Sequence, residues 1–197
     1  VADIYDEAAG ILLALKQEGI YDDIVVAVEG DEISATAMMS GVKVTFTMAD
    51  DTISGTEAIA TTSEELETAL ESGAETISLS SGEFSLSSQV TVTGDVTIEG
   101  SEDGSTKMDT TAIYALCASD GADVSISNVE FTDSGTSAAA SICTVVGSAS
   151  NIEIEDCVFN VKSMGVYLNP GVTGGYIKNC TFIMGEDSHV AIGIHGL

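Results

Sequence analysis

Tyr114 and Tyr167 sit in two short apolar runs, "AIYALC" and "GVYLN", where they alternate with Ile113, Ala115, Val166 and Leu168. Alternation of this kind sends the aliphatic residues into a core and leaves the rings outside. The run "SICTVV" lies between them and brings Cys143 to the matching place. The two rings are then expected two strand spacings apart, roughly 10 Å. His195, in "VAIGIHGL", would project from the next strand on the same face. Rings at such intervals on a flat sheet suit stacking against the sugar rings of a polysaccharide.

Two acidic loops suggest a different chemistry. "EGSEDG" supplies Glu99, Glu102 and Asp103, and "MGEDSH" supplies Glu186 and Asp187. Carboxylates and carbonyls in turns are the hard oxygen ligands that calcium prefers, so calcium is the cofactor these loops would suit. Neither loop has the spacing of an EF-hand. Asp187, Ser188 and His189 contain the residue types of a nucleophilic site, but neighbours in sequence do not make triad geometry. Glu153 and Glu155 alternate on the outer side of one strand with Ser125 and Ser127 one repeat earlier. With no second carboxylate beneath them, they read as solvated surface rather than a hydrolytic pair.

The charge balance narrows the choice. Among 197 residues there are 32 acidic residues and five lysines (Lys16, Lys43, Lys107, Lys162 and Lys178), with no arginine, for a formal net charge of -27. Nothing here could neutralise phosphates, so nucleic acid is excluded as a partner and an anionic membrane surface is disfavoured. No apolar run approaches the ~18 residues of a membrane span, so membrane insertion is not expected. Hydrophobic content of 44% identifies a folded protein with an acidic surface rather than a disordered acidic tail. From Ile53 onward the chain is rich in Ser, Thr, Gly and Asp, a composition that points to a secreted or cell-surface protein. It begins at Val1, so an upstream segment is expected to have been removed. Cys117, Cys143, Cys157 and Cys180 are too few for a disulfide scaffold and form no CxxC pair. Cys157 and Cys180 hold the same inward slot in adjacent copies and are expected to be buried, reduced and stacked; in its stronger form the expectation is that all four cysteines are free.

Two sets of elements would position these residues. In residues 1–60, Ile4, Ala8, Ile11, Leu12 and Leu15 fall at helical spacing and Gly19 supplies a stop. Alternating runs Ile24–Val28, Ile33–Met39 and Val42–Met48 follow, with Gly30-Asp31 and Ser40-Gly41 as hairpin turns. This predicts a small α+β module, a helix on a three-stranded antiparallel meander, ending near Asp51 with Thr52–Ala60 as a linker. Residues 61–197 open with a short helix: Thr62 and Glu65 form a capping box, Leu66, Ala69 and Leu70 an apolar stripe, and Gly73 the stop. Three short strands come next, at Ile77-x-Leu79, Phe84-x-Leu86 and Val90-x-Val92.

The chain then repeats. Ile98, Ile126 and Ile154 are 28 residues apart and Ile177 follows 23 later. The last three copies, "ISNVEF", "IEDCVF" and "IKNCTF", share the pattern I-x-(N/D)-(V/C)-x-F. Ile154 to Cys157 is an odd step, which a flat strand cannot take while keeping both residues on one face. Asn128, Asp156 and Asn179 occupy that step, and Asn and Asp are the residues after glycine that best tolerate a left-handed bend. Each copy therefore predicts a strand that turns a corner, so that Ile, Val/Cys and Phe share one core. Repeated units of this kind stack and bury their apolar faces on their neighbours.

The repeats, the short helix before them and the I-x-N-C-x-F signature resemble the right-handed parallel β-helix superfamily that includes pectate lyases and polygalacturonases. The resemblance covers residues 61–197 and implies an all-β, right-handed parallel β-helix with a short N-terminal capping helix. It also implies, for the lyases, calcium held by carboxylates beside an arginine or lysine base, and for the hydrolases clustered aspartates. The absence of arginine and the scarcity of lysine depart from that pattern. The expected function is accordingly a non-catalytic module in adhesion or polysaccharide binding. The alternatives are a calcium-dependent polysaccharide lyase or hydrolase, and a structural repeat unit of a longer surface protein. The run Val190–His195 is apolar and nothing charged follows it. It is expected to be covered, either by chain beyond Leu197 or by end-to-end self-association.

Overall fold

The apolar stripe of the first segment folds as helix α1 (Ile4–Glu18), which buries Ile11 and Leu15 against Ile33, Ala35, Met39 and Val44. This computed structural model describes residues 4–19, 21–29, 32–39, 42–49, 52–112, 114–119, 121–134, 140–144, 151–162, 164–184 and 190–194. Strands β1 (Asp22–Glu29), β2 (Glu32–Met39) and β3 (Val42–Ala49) pair antiparallel in sequence order. Every second residue of β2 from Ile33 to Met39 is buried beneath the helix, as a half-covered strand requires. The turn residues Gly30-Asp31 and Ser40-Gly41 lie outside the described residues.

The segment expected as a linker is a strand. β4 (Thr52–Ala60) pairs antiparallel with β3 on one side and parallel with β5 (Thr76–Leu79) on the other. Its sequence, "TISGTEAIA", carries a glycine and little alternation, so intrinsic preference does not make it a strand. Hydrogen bonding to neighbours on both sides does. Ala58 and Ala60 are fully buried, while Ile59 between them is exposed. The antiparallel strands thus continue directly into the repeat region as one nine-stranded sheet.

Between β4 and β5 lies helix α2 (Ser63–Glu71). The Thr62 hydroxyl accepts from the Glu65 amide, and the Glu65 carboxylate accepts from the Thr62 amide, a reciprocal cap. The Thr61 hydroxyl and amide also donate to the Glu65 carboxylate, and these two bonds, helped by those of Thr62, hold the Glu65 carboxyl below its usual range. Leu66 and Ala69 are completely buried and join the core of the repeat region.

That region is a β-solenoid of about 4 turns with parallel strands, a parallel β-helix fold. Each rung contributes a strand to each of three sheets. The first rung has β5, β6 (Gly82–Leu86) and β7 (Val90–Val92); the second β8 (Val96–Glu99), β9 (Thr106–Thr110) and β10 (Tyr114–Ala118). The third has β11 (Asp123–Ser127), β12 (Glu130–Asp133) and β13 (Ala140–Thr144). The fourth has β14 (Asn151–Glu155), β15 (Val158–Val161) and β16 (Met164–Leu168). The last has β17 (Gly174–Lys178), β18 (Thr181–Met184) and β19 (Val190–Ile194). The first sheet runs β1-β2-β3-β4-β5-β8-β11-β14-β17, the second β18-β15-β12-β9-β6 and the third β19-β16-β13-β10-β7.

The core is built of ladders. Ile77, Ile98, Ile126, Ile154 and Ile177 are register partners along the first sheet. Phe84, Met108, Phe131, Phe159 and Phe182 do the same along the second. The corner between these sheets is where the sequence pattern placed it. Asn128, Asp156 and Asn179 have φ of 57°, 53° and 54°, the left-handed conformation. The next residue, Val129, Cys157 or Cys180, is thereby returned to the core. Asp156→Val is expected to cost about 1–3 kcal/mol, because a β-branched side chain is strained at positive φ. Asp156→Asn and Asp156→Gly are expected to be nearly neutral. Urea-unfolding midpoints of the three variants would check this, and equal midpoints would show that the corner tolerates any residue.

Candidate functional site

The outer faces of the three sheets differ in what they offer a ligand. On the third sheet, strand register places Tyr114 beside Ala140 and then Met164, whereas Tyr167 lies beside Cys143 and then Cys117. The two tyrosines are three residues out of step, about 10 Å along the strand, in addition to their separation across rungs. They are therefore not in line two rungs apart, as the sequence suggested. Tyr114 is exposed, but Tyr167 is half-buried against Cys117 and Met164. Its ring lies over Gly193, where an added Cβ would come within 2.9 Å of Cδ2. Tyr167 is thus part of the packing of this face. His195 lies outside the described residues.

Cys117 is disulfide-bonded, and its register neighbour on the next rung is Cys143. Cys157 and Cys180 are free, as expected, whereas the stronger expectation of four free thiols fails at Cys117. Those two stack as adjacent core residues. Each thiol faces the carbonyl two positions before it, Glu155 for Cys157 and Lys178 for Cys180, at 3.3 Å. Burial pushes the Cys157 thiol up to about 12, so it stays protonated and unreactive at neutral pH.

Among the described residues no three His, Cys, Asp or Glu side chains come together as metal ligands. Glu99 and Glu102 are exposed. Asp103 Oδ1 accepts from both the hydroxyl and the amide of Ser105, which lowers the Asp103 carboxyl from its ordinary range. Glu186 and Asp187, with Ser188 and His189, lie outside the described residues.

The first sheet carries a recess on its outer side. A groove of about 550 Å³ runs across its outer face, lined by Glu75, Asp95, Thr97, Asp123, Ser125 and Glu153 among others, with no lysine. Two rows build it. In one, Thr76, Thr97, Ser125, Glu153 and Tyr176 are successive register partners, one per rung. In the other, the Asp95 carboxylate accepts from the Asp123 amide at 3.0 Å and the Asp123 carboxylate from the Asn151 amide at 3.2 Å. These bonds pin the start of each strand to the rung before it. Both rows were detectable, since Asp95, Asp123 and Asn151 recur at the same 28-residue interval as the core isoleucines.

The groove leads to Tyr176, which is 44% exposed. The two glycines before it make this possible. Gly175 has φ of 118°, and a Cβ there would lie 1.9 Å from the Ile152 carbonyl, so only glycine lets β17 lie flat against β14. A Cβ on Gly174 would meet Asn151 Oδ1 at 2.8 Å, and the side-chain Nδ2 of Asn151 donates to Glu153 Oε1 at 3.2 Å. Desolvation against the sheet, then the Glu153 and Glu155 carboxylates, push the Tyr176 phenol up. It remains a hydroxyl donor throughout the neutral range. Lys178, one rung beyond Glu155, pairs with that carboxylate and is raised by it.

Comparison with protein-family models, curated proteins and solved structures finds no match to this chain. Any assignment of function therefore rests on the geometry of the site itself.

Proposed function

We propose that the chain is a non-catalytic, extracellular β-helix module that holds an uncharged polysaccharide along the outer face of its first sheet. The observation that carries this reading is the register row Thr76, Thr97, Ser125, Glu153, Tyr176, which offers one polar group per rung and ends on an exposed ring. Hydroxyls and carboxylates at regular intervals suit the hydroxyls of a sugar chain, and an aromatic face suits its apolar side. The same groove argues against an acidic polymer. Its charged lining residues are Glu75, Asp95, Asp123 and Glu153, and a surface of net charge -27 repels uronates. Lyase chemistry on such polymers needs a base beside an acidic substrate, and no lysine lines the groove.

The disulfide at Cys117 supports an oxidising compartment and so a secreted or surface location. The parallel solenoid supports a resemblance to the pectate lyase and polygalacturonase superfamily at the level of fold. Affinity electrophoresis through gels containing neutral glucans, galactans or polygalacturonate would test the proposal. Retardation is expected in at least one neutral gel and not with polygalacturonate. Tyr176→Ala should weaken it about tenfold, a loss within the usual range for an aromatic contact. Ser125→Trp, which fills the groove, should abolish it. Retardation only by polygalacturonate, or binding indifferent to both substitutions, would remove the reading.

A further inference from the structure

The outer row of the groove does not stop at the first rung. Thr76 pairs in register with Glu57 of β4, Glu57 with Thr45 of β3, Thr45 with Thr36 of β2 and Thr36 with Val25 of β1. With Thr97, Ser125, Glu153 and Tyr176 they make one unbroken row across all nine strands of the first sheet. The inner side of the sheet shows that these residues share a face. Ala37, Val44, Ala58 and Ile77 are likewise successive partners, and all four are buried. Their chain neighbours Thr36, Thr45, Glu57 and Thr76 point the other way, because side chains alternate along a strand, and none of these is buried. The change from antiparallel to parallel pairing leaves no gap in the row, since strands are spaced by about 4.8 Å in both.

The added stretch has the chemistry of the groove. Thr36, Thr45 and Glu57 offer two hydroxyls and a carboxylate at the same interval, and α1 packs on the opposite face, in one cluster with Ala37 and Val44. Apolar groups stand along it as Tyr176 does at the far end. Val25 is 59% exposed, and Ile59, two residues from Glu57 on the same face, is 51% exposed. The charged members of the whole row are Glu57 and Glu153, a sparse line on a chain of net charge -27. Such a row suits a polymer that carries hydroxyls and no charge.

We infer that the antiparallel strands and the solenoid form one continuous binding face whose ligand is a long, linear chain of an uncharged polysaccharide lying across the strands. The inference rests on the binding reading of the groove and extends that site to β1–β4, which gives the first part of the chain a role in recognition. The five solenoid strands of the sheet span about 19 Å across, and all nine span about 38 Å. A row of single polar contacts, each contributing about 0.5–1.5 kcal/mol net, gains affinity by number, so the face selects a long ligand over a short one. The groove and Tyr176 hold one part of that ligand, and Thr36, Thr45 and Glu57 hold its continuation.

Size-fractionated fragments of the neutral glucan or galactan that retards the chain test this in calorimetric and ¹H–¹⁵N titrations. Fragments about 40 Å long should bind about tenfold or more tighter than fragments about 20 Å long. The amides of Thr36, Thr45 and Glu57 should shift together with that of Ser125 on adding the long fragment and stay still with the short one. Thr36→Ala, Thr45→Ala and Glu57→Ala combined should bring the long fragment down to the affinity of the short one. A longer ligand also gains from its larger number of registers, and the combined variant separates that gain because it leaves the number unchanged. Should the variant fail to fold, the shifts in the unaltered chain decide. Equal affinities of the two fragments, amides of Thr36, Thr45 and Glu57 that ignore the long one, or a length dependence kept by the folded variant would overturn the inference and leave the groove reading standing. Binding of neither fragment would overturn both.

Discussion

Replacing Phe159 with alanine is expected to lower the unfolding free energy by about 3–5 kcal/mol, the largest loss anticipated for any single position. The ring is completely inaccessible to solvent. It lies between Phe131 at 4.9 Å and Phe182 at 4.8 Å, with planes inclined by 8° and 6°. Those separations match the strand spacing, so the stack is dictated by the ladder rather than by ring preference. Alanine would leave a void that the rungs above and below cannot fill without breaking register. In a solenoid each rung touches only its neighbours, so the defect is not shared across a larger core. Urea unfolding of Phe159→Ala beside Phe159→Leu should give a much smaller loss for leucine, which retains most of the volume. Equal losses would mean that the site collapses freely and that the ladder is not what holds this region.

Cys117→Ser is expected to cost about 2–4 kcal/mol, the usual contribution of a disulfide cross-link. The effect should be conditional. Without reductant the variant unfolds at lower denaturant than the native chain, and with reductant the two converge. Free-thiol titration of the unfolded native chain should label Cys157 and Cys180 and leave Cys117 unlabelled. A variant as stable as the native chain under oxidising conditions would show that the bond at Cys117 contributes nothing.

What the sequence revealed follows from which positions the stacking constrains. Inward residues must repeat, because each is covered only by its equivalent in the next rung, and so Ile126, Ile154 and Ile177 disclosed the fold with its period. The corner was legible for the same reason, since Asn128, Asp156 and Asn179 take a conformation few residues accept. The third sheet was harder. Its register partners are 26, 24 and 26 residues apart at Tyr114, Ala140, Met164 and Val190, against 28, 28 and 23 for the isoleucines of the first sheet. Aligning "AIYALC" with "GVYLN" on their tyrosines slipped the register by three and hid the adjacency of Cys117 and Cys143. Leu116, Ile142 and Val166, which do align, would have corrected it. β4 was illegible on its own because hydrogen bonds from both neighbours make it a strand. The groove was overlooked because outward polar residues carry no apolar signal, although Asp95, Asp123 and Asn151 kept the period.

The proposed binding face is most directly tested by a residue-resolved ¹H–¹⁵N titration of the chain with a neutral oligosaccharide selected by gel retardation. The account predicts that the amides of Thr97, Ser125, Glu153 and Tyr176 shift together with one affinity while those of Tyr114 and Tyr167 stay still. Saturable shifts confined to Tyr114 and Tyr167, or no shifts with any neutral sugar, would contradict it.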